Sequence, residues 1–276
     1  MKLYKKIFIL LMLNIIAVSF CINCSTGSNK RKEEHEARQK VIKEIEYGRL
    51  LATQIIKKYS LLEDEKAVLY VNKVGKSVAL FAGRSDIEYH FAILDTESIN
   101  AYATPGGYVF ITIGALALMK NEAELAGVLA HEIGHINHRH IMKELPPPRE
   151  TSGFVDRTAA LLVSSGSVVS SAFTEVVNNA TELLFSKGYK IEDEFEADRS
   201  AVYYTSETGY YPNGLIHFLK RIREKENKKK DSLVYNTHPS AAKRIKRLIT
   251  LLSTEKFDTK RPKVASRFMS NLGHIK

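Results

Sequence analysis

The residues best suited to chemistry lie at positions 131–135, which read His-Glu-Ile-Gly-His. Residues four apart on a helix share a face, so His131 and His135 can direct imidazole nitrogens at one metal ion. Glu132 projects beside them, where a carboxylate can take a proton from metal-bound water. The flanking residues are apolar and small, which disfavours a solvated polar helix face. The pattern predicts a catalytic zinc site, with one Zn²⁺ per chain and Glu132 as the general base.

A catalytic zinc site takes three protein ligands and leaves one position for water. His138 lies seven residues after His131, so helical periodicity predicts that it shares roughly the same face, whereas His140 should lie off that face. The longer signature that uses a third histidine requires Gly at 138 and His at 141, but this chain has His138 and Ile141. The third ligand is therefore expected elsewhere in the chain.

A carboxylate on a second helix is the better candidate for the third ligand. The acidic stretch at residues 192–198 places Glu194 and Asp198 one turn apart, so one can bind the metal while the other orients a ligand imidazole. Glu196 is a competing ligand in the same stretch. An acidic helix face by itself usually only faces solvent. The prediction that this stretch binds metal therefore depends on the histidine motif.

The elements that must position these groups follow from hydrophobic periodicity and helix signals. Helices are predicted over 30–60, 64–81, 122–143 (with Asn121 as N-cap), 190–207, 213–227 and 239–252, with β-like alternation at 88–94 and 108–113. A turn at Pro105-Gly106-Gly107 leads into the second strand, and the prolines at 146–148 stop the helix predicted over 122–143. Residues 158–172 are rich in small residues without a run long enough for a membrane helix. The prediction is an α+β fold, mainly helical, with one catalytic domain.

The N-terminus has the layout of a secretory signal, with Lys2, Lys5 and Lys6 before an apolar run over 7–22. The polar residues after Cys24 indicate a flexible tether, and the whole resembles a lipoprotein signal with Cys24 acylated. Asn23 replaces the small residue that usually precedes the cysteine. An ordinary cleaved signal and an uncleaved anchor remain alternatives, and each leaves the catalytic part outside the cytoplasm.

Four separated stretches together resemble a known family. They are Asn100–Gly107, the HEIGH motif followed by Arg139-His140, the segment Glu194–Asp198, and His238-Pro239 followed by Arg244. The chain resembles the gluzincin metalloendopeptidases that include the CAAX-prenyl protease, HtpX, BepA and YggG/LoiP, and most closely the short lipoprotein branch. The resemblance implies a zincin-like domain with a small β-sheet beside the HExxH helix.

The same resemblance implies site roles. His131, His135 and Glu194 would bind zinc, and Asp198 would hold a ligand histidine. His238 would approach the zinc and either gate the site or stabilise the transition state, although a histidine before proline is also a plain helix-start signal. Arg244 would steady the site or simply be solvated.

The segment Asn100, Ala101 and Tyr102 is extended, and it could pair with a peptide substrate as an added strand. The alternative is an ordinary edge strand and turn. A substrate strand would explain endopeptidase specificity.

The predicted organisation is a signal at 1–23, a tether and N-terminal helix at 24–59, a zinc metallopeptidase domain at 60–252 and a basic tail at 253–276. The expected function is a zinc metalloendopeptidase on the periplasmic side of the bacterial envelope, acting on unfolded or misassembled envelope proteins. The alternative is an assembly factor or chaperone with a latent, His-gated protease site. A purely structural zinc lipoprotein is disfavoured because structural sites usually include cysteine.

The net charge of +10 is unevenly distributed. Residues 220–276 contain 17 Lys and Arg against 5 Asp and Glu, whereas residues 24–219 carry a net charge of −5. Because a secretory signal precedes the body, nucleic acid is not an expected partner. An anionic surface or an acidic protein is the expected partner of residues 220–276, and a solvated helix face with a mobile tail is the alternative.

Overall fold

A computed structural model of the chain describes residues 2–144, 178–228, 237–238 and 240–275, with side chains described from residue 30 onward except at 227–228. The proline stop at 146–148 and the small-residue segment at 158–172 lie outside these residues. The described chain forms two compact units, Met1–Lys43 and Glu44–Lys276. Within the described part, no helix has the length and apolar character needed to cross a membrane.

Helix α1 runs over Lys2–Lys58 and includes residues 24–29, for which composition predicts a flexible tether. The structure is helical there. The sequence permits this because the first proline is Pro105, so every residue after the first in this stretch has a backbone N–H that can donate to the helix.

The described helices of the second unit beyond α1 are α2 (Glu65–Ala79), α3 (Ile113–Leu118), α4 (Glu122–Asn137), α5 (His140–Glu144), α6 (Ile191–Glu207), α7 (Gly214–Lys228), α8 (Ala241–Thr254) and α9 (Ala265–Leu272). A π-helical turn, Leu183–Lys187, precedes α6. Asp64 caps α2 by accepting a hydrogen bond from the Ala67 amide. The helices predicted over 190–207, 213–227 and 239–252 correspond to α6, α7 and α8.

The sheet has three strands, β1 (His90–Leu94), β2 (Ala101–Thr104) and β3 (Tyr108–Thr112), in the order β1-β3-β2. β3 pairs parallel to β1 and antiparallel to β2. The turn from β2 to β3 requires glycine, since Gly107 has φ 104° and a Cβ there would lie 2.1 Å from the Glu88 carbonyl oxygen. Because β2 is last in this strand order, it is an edge strand of the described sheet.

Helix α4 forms the centre of the core, with residues 122–136 buried. Asn121 caps it by accepting from the Glu124 amide, as predicted. At Gly134 a Cβ would approach the Ala197 Cα to 3.0 Å, so glycine lets α4 and α6 cross closely. The prediction of a mainly helical α+β fold with a small sheet beside the HExxH helix is confirmed.

The prediction that this helix continues to residue 143 is wrong. α4 ends at Asn137, and α5 begins at His140 after Arg139 adopts a left-handed backbone with φ 55°. Such a φ cannot occur inside a right-handed helix, so the chain changes direction at this residue.

The segment 253–276, predicted as a basic tail, differs from the mobile tail of the alternative interpretation. It contains α9, whose Phe268 and Leu272 are buried, and Arg267 donates through Nε to Glu122 Oε2 at 2.6 Å. Glu122 also accepts from the hydroxyls of Tyr70 (2.5 Å) and Tyr210 (2.6 Å). One buried carboxylate at the start of α4 thus ties three distant parts of the chain together.

Candidate metal centre

Helices α4 and α6 bring the predicted ligands together. His131 and His135 face α6 from one side of α4, and Glu194 lies in the first turn of α6. The two Nε2 atoms are 3.0 Å apart, and Glu194 places one oxygen 3.5 Å from His131 Nε2 and the other 3.4 Å from His135 Nε2. All three side chains are buried, so their polar atoms converge on a small volume shielded from solvent.

His238 completes this group. Its Nδ1 lies 2.9 Å from Glu194 Oε1 and 3.3 Å from His131 Nε2, and its Nε2 is 3.7 Å from Glu132 Oε1. Ligand atoms from His131, His135, Glu194 and His238 all lie within 4.8 Å of one another. The sequence allowed His238 either a role at the metal site or only a helix-start signal before proline. The structure places it among the ligand atoms.

Asp198 and Arg244 make polar contacts with the side chains of this group. Asp198 Oδ1 lies 3.0 Å from His131 Nδ1, on the far side of the ring from the converging nitrogens. Arg244 donates to Asp198 from Nε (2.9 Å) and Nη2 (2.6 Å), and its Nη1 lies 2.7 Å from Glu194 Oε2. The guanidinium is fully buried between the two carboxylates, so the alternative of a solvated Arg244 is wrong.

The ionisation of the centre follows from these contacts. Burial by itself would raise the pKa of Glu194, but His238 and Arg244, with hydrogen bonds from His131 and His135, hold that pKa well below its usual range. Burial likewise opposes ionisation of Asp198, and Arg244 and His131 more than offset it, lowering the pKa. Burial lowers the pKa of His135 well below its ordinary value, which keeps this imidazole neutral and able to act as a ligand.

Glu132 differs from the other carboxylates. It is fully buried, and neither carboxylate oxygen has a hydrogen-bond partner among the described residues. Burial raises the pKa of Glu132, which favours proton uptake. A buried acceptor without a partner beside a group of ligand atoms is suited to taking a proton from a molecule that enters the site.

The expectation for the two following histidines is reversed. His140 is buried with its Nδ1 2.7 Å from His135 Nδ1, whereas the partly exposed His138 has its Nε2 2.8 Å from the Ser200 hydroxyl. The helix break at Arg139 causes the reversal, because helical periodicity no longer applies beyond Asn137.

Tyr189, which no sequence motif indicated, also contacts the centre. Its ring stacks on His135 with centroids 3.9 Å apart and an interplanar angle of 19°. A tyrosine outside the motifs has no spacing signal that could have identified it.

The proposed substrate segment lies beside the centre. Asn100 accepts from the Ala101 amide at 2.9 Å and from the Thr237 hydroxyl at 3.3 Å, which links the start of β2 to the residue before His238. Tyr102 is buried, with its hydroxyl 3.3 Å from that of Tyr59.

The donor set fits a metal ion. Two imidazole nitrogens and a carboxylate are the ligands of many catalytic zinc sites, and here they converge in a buried space with oriented partners behind them. Glu132 adds an unpaired buried acceptor at the same place.

Comparison with known proteins gives consistent matches. The family model for peptidase family M48 matches residues 65–251. The mitochondrial metalloendopeptidase OMA1 of Schizosaccharomyces pombe is 33% identical over 181 residues, which are 65% of this chain and 51% of that protein. The beta-barrel assembly-enhancing protease of Escherichia coli is 24% identical over 207 residues, which are 73% of this chain and 42% of that protein.

A shorter relative also matches. Metalloprotease LoiP of Escherichia coli is 24% identical over 166 residues, which are 60% of this chain and 64% of that protein. The matched part of this chain thus spans about half the length of the first two relatives and somewhat more of the third.

Proposed function

Since the chain belongs to peptidase family M48 and is a metalloprotease, we propose that it is a zinc-dependent endopeptidase of the bacterial cell envelope that cleaves unfolded or misassembled proteins. Family membership confirms the resemblance that the four motifs indicate. The observation that carries the proposal is the convergence of His131, His135 and Glu194 beside the buried Glu132, whose oxygens accept no hydrogen bond from the described residues.

His131, His135 and Glu194 are the residues that would hold the zinc. When bound, zinc supplies Lewis acidity, which acidifies a water molecule and polarises the scissile carbonyl. Glu194 is favoured over Glu196 because its two oxygens face both histidines, whereas Glu196 is half-exposed and 3.1 Å from His140 Nε2.

Glu132 is the proposed general base. It accepts the proton of the attacking water and passes it to the leaving amine. Its burial raises the affinity for that proton, and its lack of a hydrogen-bond partner leaves both oxygens available. Asp198 accepts from His131 Nδ1, which holds the His131 lone pair on Nε2 toward the centre, and Arg244 holds Asp198 and Glu194 in place.

His238 supports the alternative of a latent site. Its Nδ1 lies 2.9 Å from Glu194 Oε1 and 3.3 Å from His131 Nε2, and in this alternative its ring would block the approach of a water molecule or a substrate carbonyl. In this alternative the protein is an envelope assembly factor or chaperone, and His238 gates the protease. If a protease-dead Glu132→Gln chain corrects an envelope defect as well as the wild type does, the alternative is favoured.

The edge strand β2 is the proposed substrate-binding strand, through Asn100, Ala101 and Tyr102. Its position at the edge of the described sheet and next to α4 supports this assignment. A peptide bound there would lie alongside the HExxH helix.

The envelope location rests on the basic and apolar N-terminal residues with Cys24, proposed as the acylated anchor, and on the name of the beta-barrel assembly-enhancing protease. The proposed substrates are unfolded envelope proteins. Residues 220–276 are proposed to face an anionic surface or an acidic protein.

Glu132→Gln tests the proposed function. The purified variant should bind zinc as the wild type does but cleave casein about 10²–10⁴-fold more slowly, because it loses general-base catalysis. Glu192→Gln, on the first turn of α6, is the matched control and should cleave normally. Undiminished proteolysis by Glu132→Gln would refute the assignment.

A further inference from the structure

The break between α4 and α5 is held in place by an ion pair between the partly exposed Arg139 and the buried Glu44. Arg139, with its left-handed φ of 55°, donates through Nε to Glu44 Oε2 at 2.9 Å. Glu44 is only 2% exposed, and Arg84 Nη2 lies 3.1 Å from the same oxygen. A non-glycine residue at positive φ is unfavourable, so the surrounding contacts must stabilise it. The consequence of the break is that the next residue, His140, turns back beneath α4.

His140 connects the metal centre to two carboxylates. Its Nδ1 is 2.7 Å from His135 Nδ1, and its Nε2 is 3.1 Å from Glu196 Oε2 and 3.6 Å from Asp193 Oδ1. The imidazole is fully buried, although Glu196 reaches solvent. Both ring nitrogens of His140 therefore face a specific polar partner.

The protons on this chain of contacts can be assigned by chemistry. His135 presents Nε2 to the centre, and a neutral imidazole that ligates through Nε2 carries its proton on Nδ1. That proton points at His140 Nδ1, which must then be the acceptor. A neutral His140 in turn carries its proton on Nε2, directed at Glu196.

We propose that His140 is a positioning residue that accepts the Nδ1 proton of His135 and so holds the His135 lone pair toward the metal, while Glu196 holds His140 in the matching tautomer. The proposal rests on the proposed function, because it assigns His135 as a ligand. Each ligand histidine then has its own partner, Asp198 for His131 and His140 for His135.

A second metal site is the competing interpretation, because ligand atoms of His138, His140 and Glu196 also lie within 4.8 Å of one another. A metal on His140 Nε2 would force the His140 proton onto Nδ1, and His135 would then have to carry its own proton on Nε2, where it could not ligate. The ammonium of Lys143, 3.6 Å from Glu196 Oε2, also opposes a cation there. The geometry therefore favours the hydrogen-bonded chain from His135 through His140 to Glu196, which we call the relay.

The test measures zinc affinity of the full chain by competition with a chelator. His140→Ala should weaken zinc binding about 10–100-fold. His140→Asn, whose side-chain oxygen can accept at the position of Nδ1, should recover most of that loss. His138→Ala is the neighbouring control. The His138 ring stacks on that of His140 and its Nδ1 lies 3.8 Å from Glu196 Oε2, but it contacts neither ring nitrogen of His140, so the variant should bind zinc like the wild type.

Imidazole nitrogen NMR of the zinc-loaded wild type provides a readout that does not depend on variant folding. Protonated Nδ1 on His135 and protonated Nε2 on His140 are expected. Protonated Nδ1 on His140, wild-type zinc affinity in His140→Ala, or a second zinc that His138→Ala removes would each overturn the relay. Failure of the proposed function would look different, because the wild type itself would then bind no zinc or Glu132→Gln would remain active.

Discussion

Arg244 illustrates how single residues stabilise this centre. Glu194 and Asp198 lie one turn apart on α6, and both are buried, so two negative charges face each other in a medium of low polarity. The Arg244 guanidinium contacts both at 2.6–2.9 Å and offsets their desolvation. The three charges compensate one another, which allows all three side chains to be buried. Removing any one of them would leave an uncompensated buried charge.

The proposed role of Glu194 as a metal ligand is a second question at the residue scale. Glu194→Ala should lose bound zinc, measured by elemental analysis after gel filtration, because the substitution removes one of the three proposed ligands. Glu192→Ala, on the same turn of α6, is the matched control and should retain one zinc per chain. If Glu196→Ala abolishes zinc binding while Glu194→Ala retains it, the ligand assignment is wrong.

At the scale of elements, α9 is a structural part of the unit 44–276 that contains the candidate metal centre. Phe268 is buried, Arg267 pairs with Glu122 at the start of α4, and the Ala123 amide donates to the Lys263 carbonyl at 3.1 Å. The C-terminal segment therefore supports the N-terminal end of the helix that carries the HExxH motif.

Phe268→Ala should lower the free energy of unfolding by about 3–5 kcal/mol, because it removes a buried aromatic side chain and leaves a cavity. Met269→Ala is the matched control on the same helix; Met269 is 54% exposed and should change stability by less than about 1 kcal/mol. Urea unfolding at constant pH measures both. Equal effects of the two substitutions would mean that α9 does not pack as described.

At the scale of the whole molecule, the basic charge of residues 220–276 is only partly available to a partner. Arg244 is buried, Arg221 pairs with Glu124, and Arg267 pairs with Glu122. Lys243 and Lys246, by contrast, are exposed on α8. Any anionic surface would therefore be recognised by a subset of these residues.

Lys243→Gln with Lys246→Gln should weaken binding of the compact unit 44–276 to phosphatidylglycerol vesicles by about 30-fold, at about 1 kcal/mol per lysine. Lys73→Gln with Lys120→Gln is the charge-matched control, since both lysines are exposed on other elements. Vesicle co-sedimentation at low and high salt measures the effect. Equal binding by both double variants would exclude α8 as the contact surface.

The sequence by itself determined what depends on local periodicity. The i, i+4 spacing of His131 and His135 predicts a shared helix face, and the Asn121 cap predicts where that helix begins. The mainly helical α+β fold, with a small sheet beside the helix, follows from the same patterns and from the motifs that indicate the family.

Only the tertiary structure decided which distant groups meet. His238 lies 107 residues from His131, and Arg244 lies 46 residues from Asp198, so their contacts depend on how helices cross rather than on spacing along the chain. The exchange of roles between His138 and His140 has the same origin, because an ion pair with the buried Glu44 stabilises the left-handed Arg139, where the helical periodicity ends. Local sequence patterns carry no information about a contact made by a residue nearly one hundred positions away.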